Sequence, residues 1–129
     1  MAIYIKKFNE ISIDDIAEVG GKNASLGEMY NRLSAKNITI PNGFAITTTA
    51  FRHFIEYNKL NGAPKRLLAQ LDRTDYSNLN AIGGQLRELI LTSRMPNNLA
   101  DAIVAAYRDL LEGGEGEVAV RSSATAEDL

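Results

Sequence analysis

Two consecutive glycines, Gly20 and Gly21, stand directly ahead of a helical repeat in which Leu26, Met29, Tyr30 and Leu33 recur at turn spacing. Glycine lets the backbone turn sharply and lets another group come close, and the first amides of the following helix lack intrahelical partners. With Lys22 next, the stretch Val19 to Arg32 has the layout of an anion site: outward-pointing amides and a mobile ammonium would receive a phosphate. It is not a Walker A loop, because the GxxxxGK[ST] spacing is absent and Asn23 follows the lysine. A tight turn with a solvated lysine fits the same letters, so the motif alone leaves both readings open.

The chain has 129 residues, which suits one domain, or one lobe of a larger one, with a real core. Its 45% hydrophobic and 23% charged residues match ordinary globular domains. A formal net charge of -2 argues against a surface built for nucleic acid, which calls for a basic excess, but leaves room for a local basic pocket. The absence of cysteine excludes disulfides and thiolate metal sites. The opening residues, MAIYIKKFNE, hold too short an apolar run for a signal peptide, and no segment approaches the roughly 18 apolar residues of a membrane span. A cytoplasmic protein without membrane or nucleic-acid partners is expected, and the sequons at Asn23 and Asn37 then carry no meaning.

In chain order, Ala2 to Phe8 alternates as a strand, and Ser12 with Asp15 matches a capping box opening a short helical turn that ends at Gly20-Gly21. A helix from about Asn23 to Leu33 follows, then a Pro41-Asn42-Gly43 turn and a short buried strand, Phe44 to Ile46. Thr47 to Thr49 offer N-cap hydroxyls for a helix through Phe51, Phe54, Ile55 and Tyr57, stopping at Asn61-Gly62. Pro64 suits the first turn of a helix carrying Leu67, Leu68 and Leu71, and Asp72 to Asn78 reads as a loop. Leu79 to Ile90 forms a helix despite Gly83 and Gly84, for which close packing against a neighbour is the expected reason. Asn98 and Asp101 cap a last helix running to Gly113-Gly114, Glu112 to Gly116 is a flexible join, and Glu117 to Ser122 alternates as a strand. Short strands among several packed helices make an α/β or α+β unit, with no internal repeat.

The terminal stretch VAVRSSATAEDL weighs as much as the glycine pair. Arg121 at a strand end, followed by Ser122, Ser123 and Thr125, gathers a guanidinium fork and hydroxyls suited to phosphate oxygens; an edge arginine with a serine-rich loop is the equal alternative. Glu127 and Asp128 are candidate Mg²⁺ ligands, though acids of a loop or helix start fit the same positions. His53, between Arg52 and Phe54 on a helix, reads as a surface or packing residue. A lone histidine gives no catalytic triad, no metal-ligand cluster appears, and the five tyrosines are too scattered for a base-stacking platform.

Taken together, EVGGKNASLGEMYNRL (Glu18–Leu33), IPNGFAITTTAF (Ile40–Phe51) and AVRSSATAEDL (Ala119–Leu129) closely resemble the N-terminal nucleotide-binding region of the phosphoenolpyruvate synthase (pyruvate, water dikinase) family. The resemblance runs from about Ile11 to the last residue. It implies an ATP-grasp type domain that binds Mg-ATP and passes a phosphoryl group to a histidine on a separate carrier domain, which then phosphorylates pyruvate. By this similarity Lys22 and Arg121 contact the ATP phosphates, with Gly20, Gly21, Ser122, Ser123 and Thr125 as weaker candidates. The glycine-rich segment and magnesium ligands of the family come after Leu129, and the carrier-histidine and pyruvate domains are absent. The resemblance therefore implies an N-terminal part of a larger dikinase, inactive alone, with no catalytic residue of its own. The lobe of a related phosphotransferase, such as rifampicin phosphotransferase or pyruvate phosphate dikinase, and a non-catalytic nucleotide-binding module are the alternatives.

Overall fold

A computed structural model of the chain describes residues 2–126. The fold is helix-rich with a small two-stranded sheet, and it divides into two compact units, Met1–Arg52 with Asn97–Leu129, and His53–Pro96.

In the first unit, strand β1 (Ile5–Lys7) pairs antiparallel with β2 (Phe44–Ile46), placing Ile5 opposite Ile46 and Lys7 opposite Phe44. The ladder is shorter than the alternation from Ala2 to Phe8 suggests. Phe8 already belongs to a 3-10 turn (Phe8–Glu10), closed by the Glu10 carboxylate accepting from the Lys7 amide at 2.9 Å. A two-stranded pair is marginal alone, and here helix α6 (Asn97–Leu110) packs against both strands with Leu99 and Ala106 buried.

The expected capping box forms: the Ser12 amide donates to Asp15 Oδ2 at 2.8 Å, and Ser12 Oγ accepts from the Asp14 amide at 3.3 Å. It opens a 3-10 turn (Ile13–Asp15) that runs into the one-turn helix α1 (Ile16–Val19). Gly20 breaks the chain direction at φ 83°, and helix α2 (Gly21–Ser34) begins at once, two residues earlier than the apolar pattern indicates. The core gathers Phe8, Ile11, Val19, Ala24 and Ala45, with Leu26 and Tyr30 packed beside it. Met29, expected on the apolar stripe, is 41% exposed. The face of α2 that comes closest to the core is Ala24 and Gly27, because small residues let the helix axis approach Ile11. Asn31 locks the approach, donating from Nδ2 to the Phe8 and Ile11 carbonyls at 3.2 and 3.0 Å. Helix α3 (Thr48–Tyr57) starts at Thr47, whose hydroxyl accepts from the Ala50 amide and donates to the Ile3 carbonyl at 2.6 Å.

The second unit contains the later half of α3, α4 (Ala63–Ala69) and α5 (Leu79–Leu91), with α4 against α5. Pro64 sits in the first turn of α4 as expected. Asn58 ties the end of α3 to the segment after α5, donating to the Arg94 carbonyl and accepting from its amide at 2.9 and 2.8 Å. Close packing is not the reason for Gly83 and Gly84: among the described residues an added Cβ at either would meet only the Arg87 guanidinium of the same helix.

Two further expectations are corrected. Helix α6 begins at Asn97, one residue ahead of the expected cap, so Asn98 lies in its first turn and accepts from the neighbouring Leu99 amide. The stretch Glu117 to Ser122 is not a strand: it has no ladder among the described residues, and Val120 is 92% exposed. Alternation shows that a segment is compatible with a sheet, but a strand exists only where a partner supplies hydrogen bonds.

Candidate phosphate site at the start of helix α2

The turn that presents Lys22 is braced from both sides. Upstream, Lys6 Nζ reaches Glu18 Oε2 at 2.8 Å and Asp15 Oδ1 at 3.6 Å, tying β1 to α1. The hydrogen bond to Glu18 raises the Lys6 pKa, and the hydrogen bond from the Ser12 amide, with Lys6 nearby, lowers that of Asp15. Downstream, Asn23 Nδ2 donates to the Val19 carbonyl at 3.0 Å across the glycine pair.

The terminal segment docks directly onto this turn. The Gly21 amide donates to the Ala124 carbonyl at 3.0 Å, the Asn23 amide to Ser123 Oγ at 3.4 Å, and Lys22 Nζ to the Ser122 carbonyl at 3.3 Å. The two stretches singled out in sequence, about a hundred positions apart, are thus neighbours. One expectation changes: the first amides of α2 do not all point outward, since Ala124 and Ser123 take two of them. Close approach, the use expected of Gly20 and Gly21, is made here to the chain itself. A Cβ on Gly20 would lie 2.3 Å from Ser123 Oγ and 2.9 Å from the Ala124 amide nitrogen.

The remaining candidates are placed as follows. Arg121 is exposed and directly precedes the Ser122 carbonyl that Lys22 holds; Thr125 is exposed in a turn. Glu127 and Asp128 lie outside the described residues. His53 stands on α3 with its ring 6.3 Å from that of Tyr57, a packing contact. Among the described residues, no cluster of three or more His, Cys, Asp or Glu side chains is placed to hold a metal ion, and no helix is long and apolar enough to cross a membrane. Sequence reasoning passed over Asn23 and Ala124. Asn23 lies four residues after Val19, the helical spacing that lets its amide reach back, whereas a backbone carbonyl such as Ala124 leaves no mark in sequence.

A helix start is thus joined to a hydroxyl-rich segment, with Lys22 on the one and Arg121 on the other. The chain belongs to the family described as "Pyruvate phosphate dikinase, AMP/ATP-binding domain", which matches residues 16–129. It is 42% identical over 129 residues to the phosphoenolpyruvate synthase of Neisseria meningitidis serogroup B, covering 98% of this chain and 16% of that protein. To the phosphoenolpyruvate synthase of Escherichia coli K12 it is 42% identical over 123 residues, 95% of this chain and 16% of that one. A probable phosphoenolpyruvate synthase of Methanocaldococcus jannaschii is 43% identical over 129 residues, 98% of this chain and 10% of the relative. The chain therefore spans a minor part of the length of the relatives it matches.

Proposed function

We propose that this chain is the N-terminal, ATP-binding part of a dikinase of the phosphoenolpyruvate synthase kind, one lobe of an ATP-grasp-like domain. In this reading ATP gives its β-phosphoryl group to a histidine on a carrier domain of a longer protein. Pyruvate then takes that phosphoryl group, and phosphoenolpyruvate, AMP and phosphate are the products. The chain's own task is to bind and orient the polyphosphate, a task that demands positioned charge rather than a nucleophile.

The observation that carries the reading is the docking of residues 122–124 onto the Gly20–Asn23 turn, which sets Lys22 at the carbonyl next to Arg121. An ammonium has three N–H donors, so the bond to Ser122 is compatible with another to a phosphate oxygen. Arg121 adds a planar fork that fits two phosphate oxygens at once. Gly20, Gly21, Ser122, Ser123 and Thr125 form the surround. Magnesium is expected to accompany the nucleotide; among the described residues no group of three or more His, Cys, Asp or Glu side chains is placed to hold a metal ion, and no step is assigned to it.

The test is ATP binding by the 129-residue chain and two variants. Lys22→Ala removes a charge-assisted hydrogen bond worth about 1.5 to 3 kcal/mol, so affinity should fall about 10- to 150-fold. Arg121→Lys keeps the charge but loses the fork and should also weaken binding. Unchanged affinity in both variants would reject the assignment.

A further inference from the structure

We infer that Ser123 is a positioning residue: its hydroxyl acts as the N-cap of α2 from across the chain, and Gly20 is the socket that admits it. A helix start is ordinarily capped by the residue just before it, whose side-chain oxygen accepts from an amide of the first turn. Here that residue is Gly20, which has no side chain, and no side-chain cap is made from that position. Ser123 supplies the missing acceptor, its Oγ taking the Asn23 amide at 3.4 Å.

The fit is specific to glycine at position 20. With φ at 83° the backbone adopts a conformation that L side chains rarely take, and a Cβ there would stand 2.3 Å from Ser123 Oγ and 3.0 Å from the Ser123 carbonyl carbon. The neighbouring bonds register the segment on both sides: Ala124 receives the Gly21 amide, and Ser122 receives the Lys22 ammonium. Ser123 therefore sits between two other contacts and links the dock through a side chain of the terminal segment itself. Its hydroxyl fixes the first turn of α2, and through that turn the base of the Lys22 side chain. The consequence for nucleotide binding rests on the Lys22 reading above. The capping itself does not.

The experiment is amide hydrogen exchange of the nucleotide-free chain, followed by ATP titration, for wild type, Ser123→Ala, Ser123→Thr and Gly20→Ala. Loss of an N-cap acceptor should speed exchange of the Asn23 amide by about fivefold in Ser123→Ala. Amides of α6, in the same unit, should stay unchanged, which certifies the fold, and Ser123→Thr, which keeps a hydroxyl, should restore protection. Gly20→Ala should expose the Gly21 and Asn23 amides together; if that variant does not fold, the two Ser123 variants decide the matter alone. Wild-type exchange at Asn23 in Ser123→Ala would overturn the inference. So would reduced ATP affinity in Ser123→Ala with unaltered exchange, because Ser123 would then be a direct ligand. Faster exchange in that variant, alongside a wild type that ignores ATP, would uphold the cap and reject the nucleotide reading.

Discussion

Replacing Gly27 by alanine should destabilise the chain, although alanine is the better helix former. In an exposed helix the exchange gains about 1 kcal/mol. At position 27 the new methyl would lie 2.5 Å from both Cβ and Cγ2 of Ile11 and 2.8 Å from its carbonyl oxygen, where non-bonded carbons prefer about 3.5 to 4.0 Å. Ile11 is 1% exposed and enclosed by the core, so it has nowhere to retreat, and α2 must lift by about an ångström to reach ordinary contact. Lifting stretches the Asn31 bonds to Phe8 and Ile11 and the bond from the Ile13 amide to Glu28. Overpacking of this kind costs about 1 to 3 kcal/mol, and the three weakened hydrogen bonds add about 0.5 kcal/mol each. Set against the propensity gain, the net loss is about 1.5 to 3.5 kcal/mol, or a urea midpoint lower by about 1 M. Gly84→Ala is the control: its methyl would meet nothing closer than an Arg87 nitrogen at 3.9 Å, so it should gain up to about 1 kcal/mol. Equilibrium unfolding in urea reads both. Gly27→Ala at or above wild-type stability would refute the close approach of α2 to Ile11.

Two further perturbations probe the braces. Asp15, whose pKa is lowered by the Ser12 amide and then by Lys6, lends stability that is present above its unfolded value and is lost as pH falls through the folded one; Lys6, raised by Glu18, lends stability present below its unfolded value and lost as pH rises through the folded one. Asp15→Asn should thus lower the urea midpoint at pH 7 and approach wild type at pH 3, and an equal gap at both pH values would contradict the assignment. In the second unit, Asn58→Ala breaks the two bonds to Arg94 and the one to the Phe54 carbonyl, so a loss of about 2 kcal/mol is expected in thermal or urea unfolding. A change under about 0.5 kcal/mol, the usual range for plain surface sites, would show that this staple is slack.

Where local chemistry decides, the sequence was readable. The Ser12–Asp15 box, the Thr47 cap and Pro64 in the first turn of α4 all depend on residues within a few positions of one another. Where distant segments decide, it was not. Among the helical glycines, Gly83 and Gly84 drew notice as a mid-helix pair, yet the one pressed against the core is Gly27, because its need arises from Ile11 in another element. The alternation of Glu117 to Ser122 likewise could not reveal whether a partner strand lies alongside. For the site, both cation-bearing stretches were legible from residue chemistry, and the resemblance joined them. Their junction was not, since it uses the carbonyls of Ser122 and Ala124, which every residue possesses.

The most direct measurement is a backbone-amide NMR titration of the 129-residue chain with Mg-ATP. If the nucleotide phosphates are held between the α2 start and the terminal segment, amides of residues 20–23 and 121–125 should move together along one saturable curve, and Lys22→Ala should displace both sets of shifts to about 10- to 150-fold higher ATP. Shifts confined to one of these stretches, or centred elsewhere in the chain, would contradict a shared phosphate site.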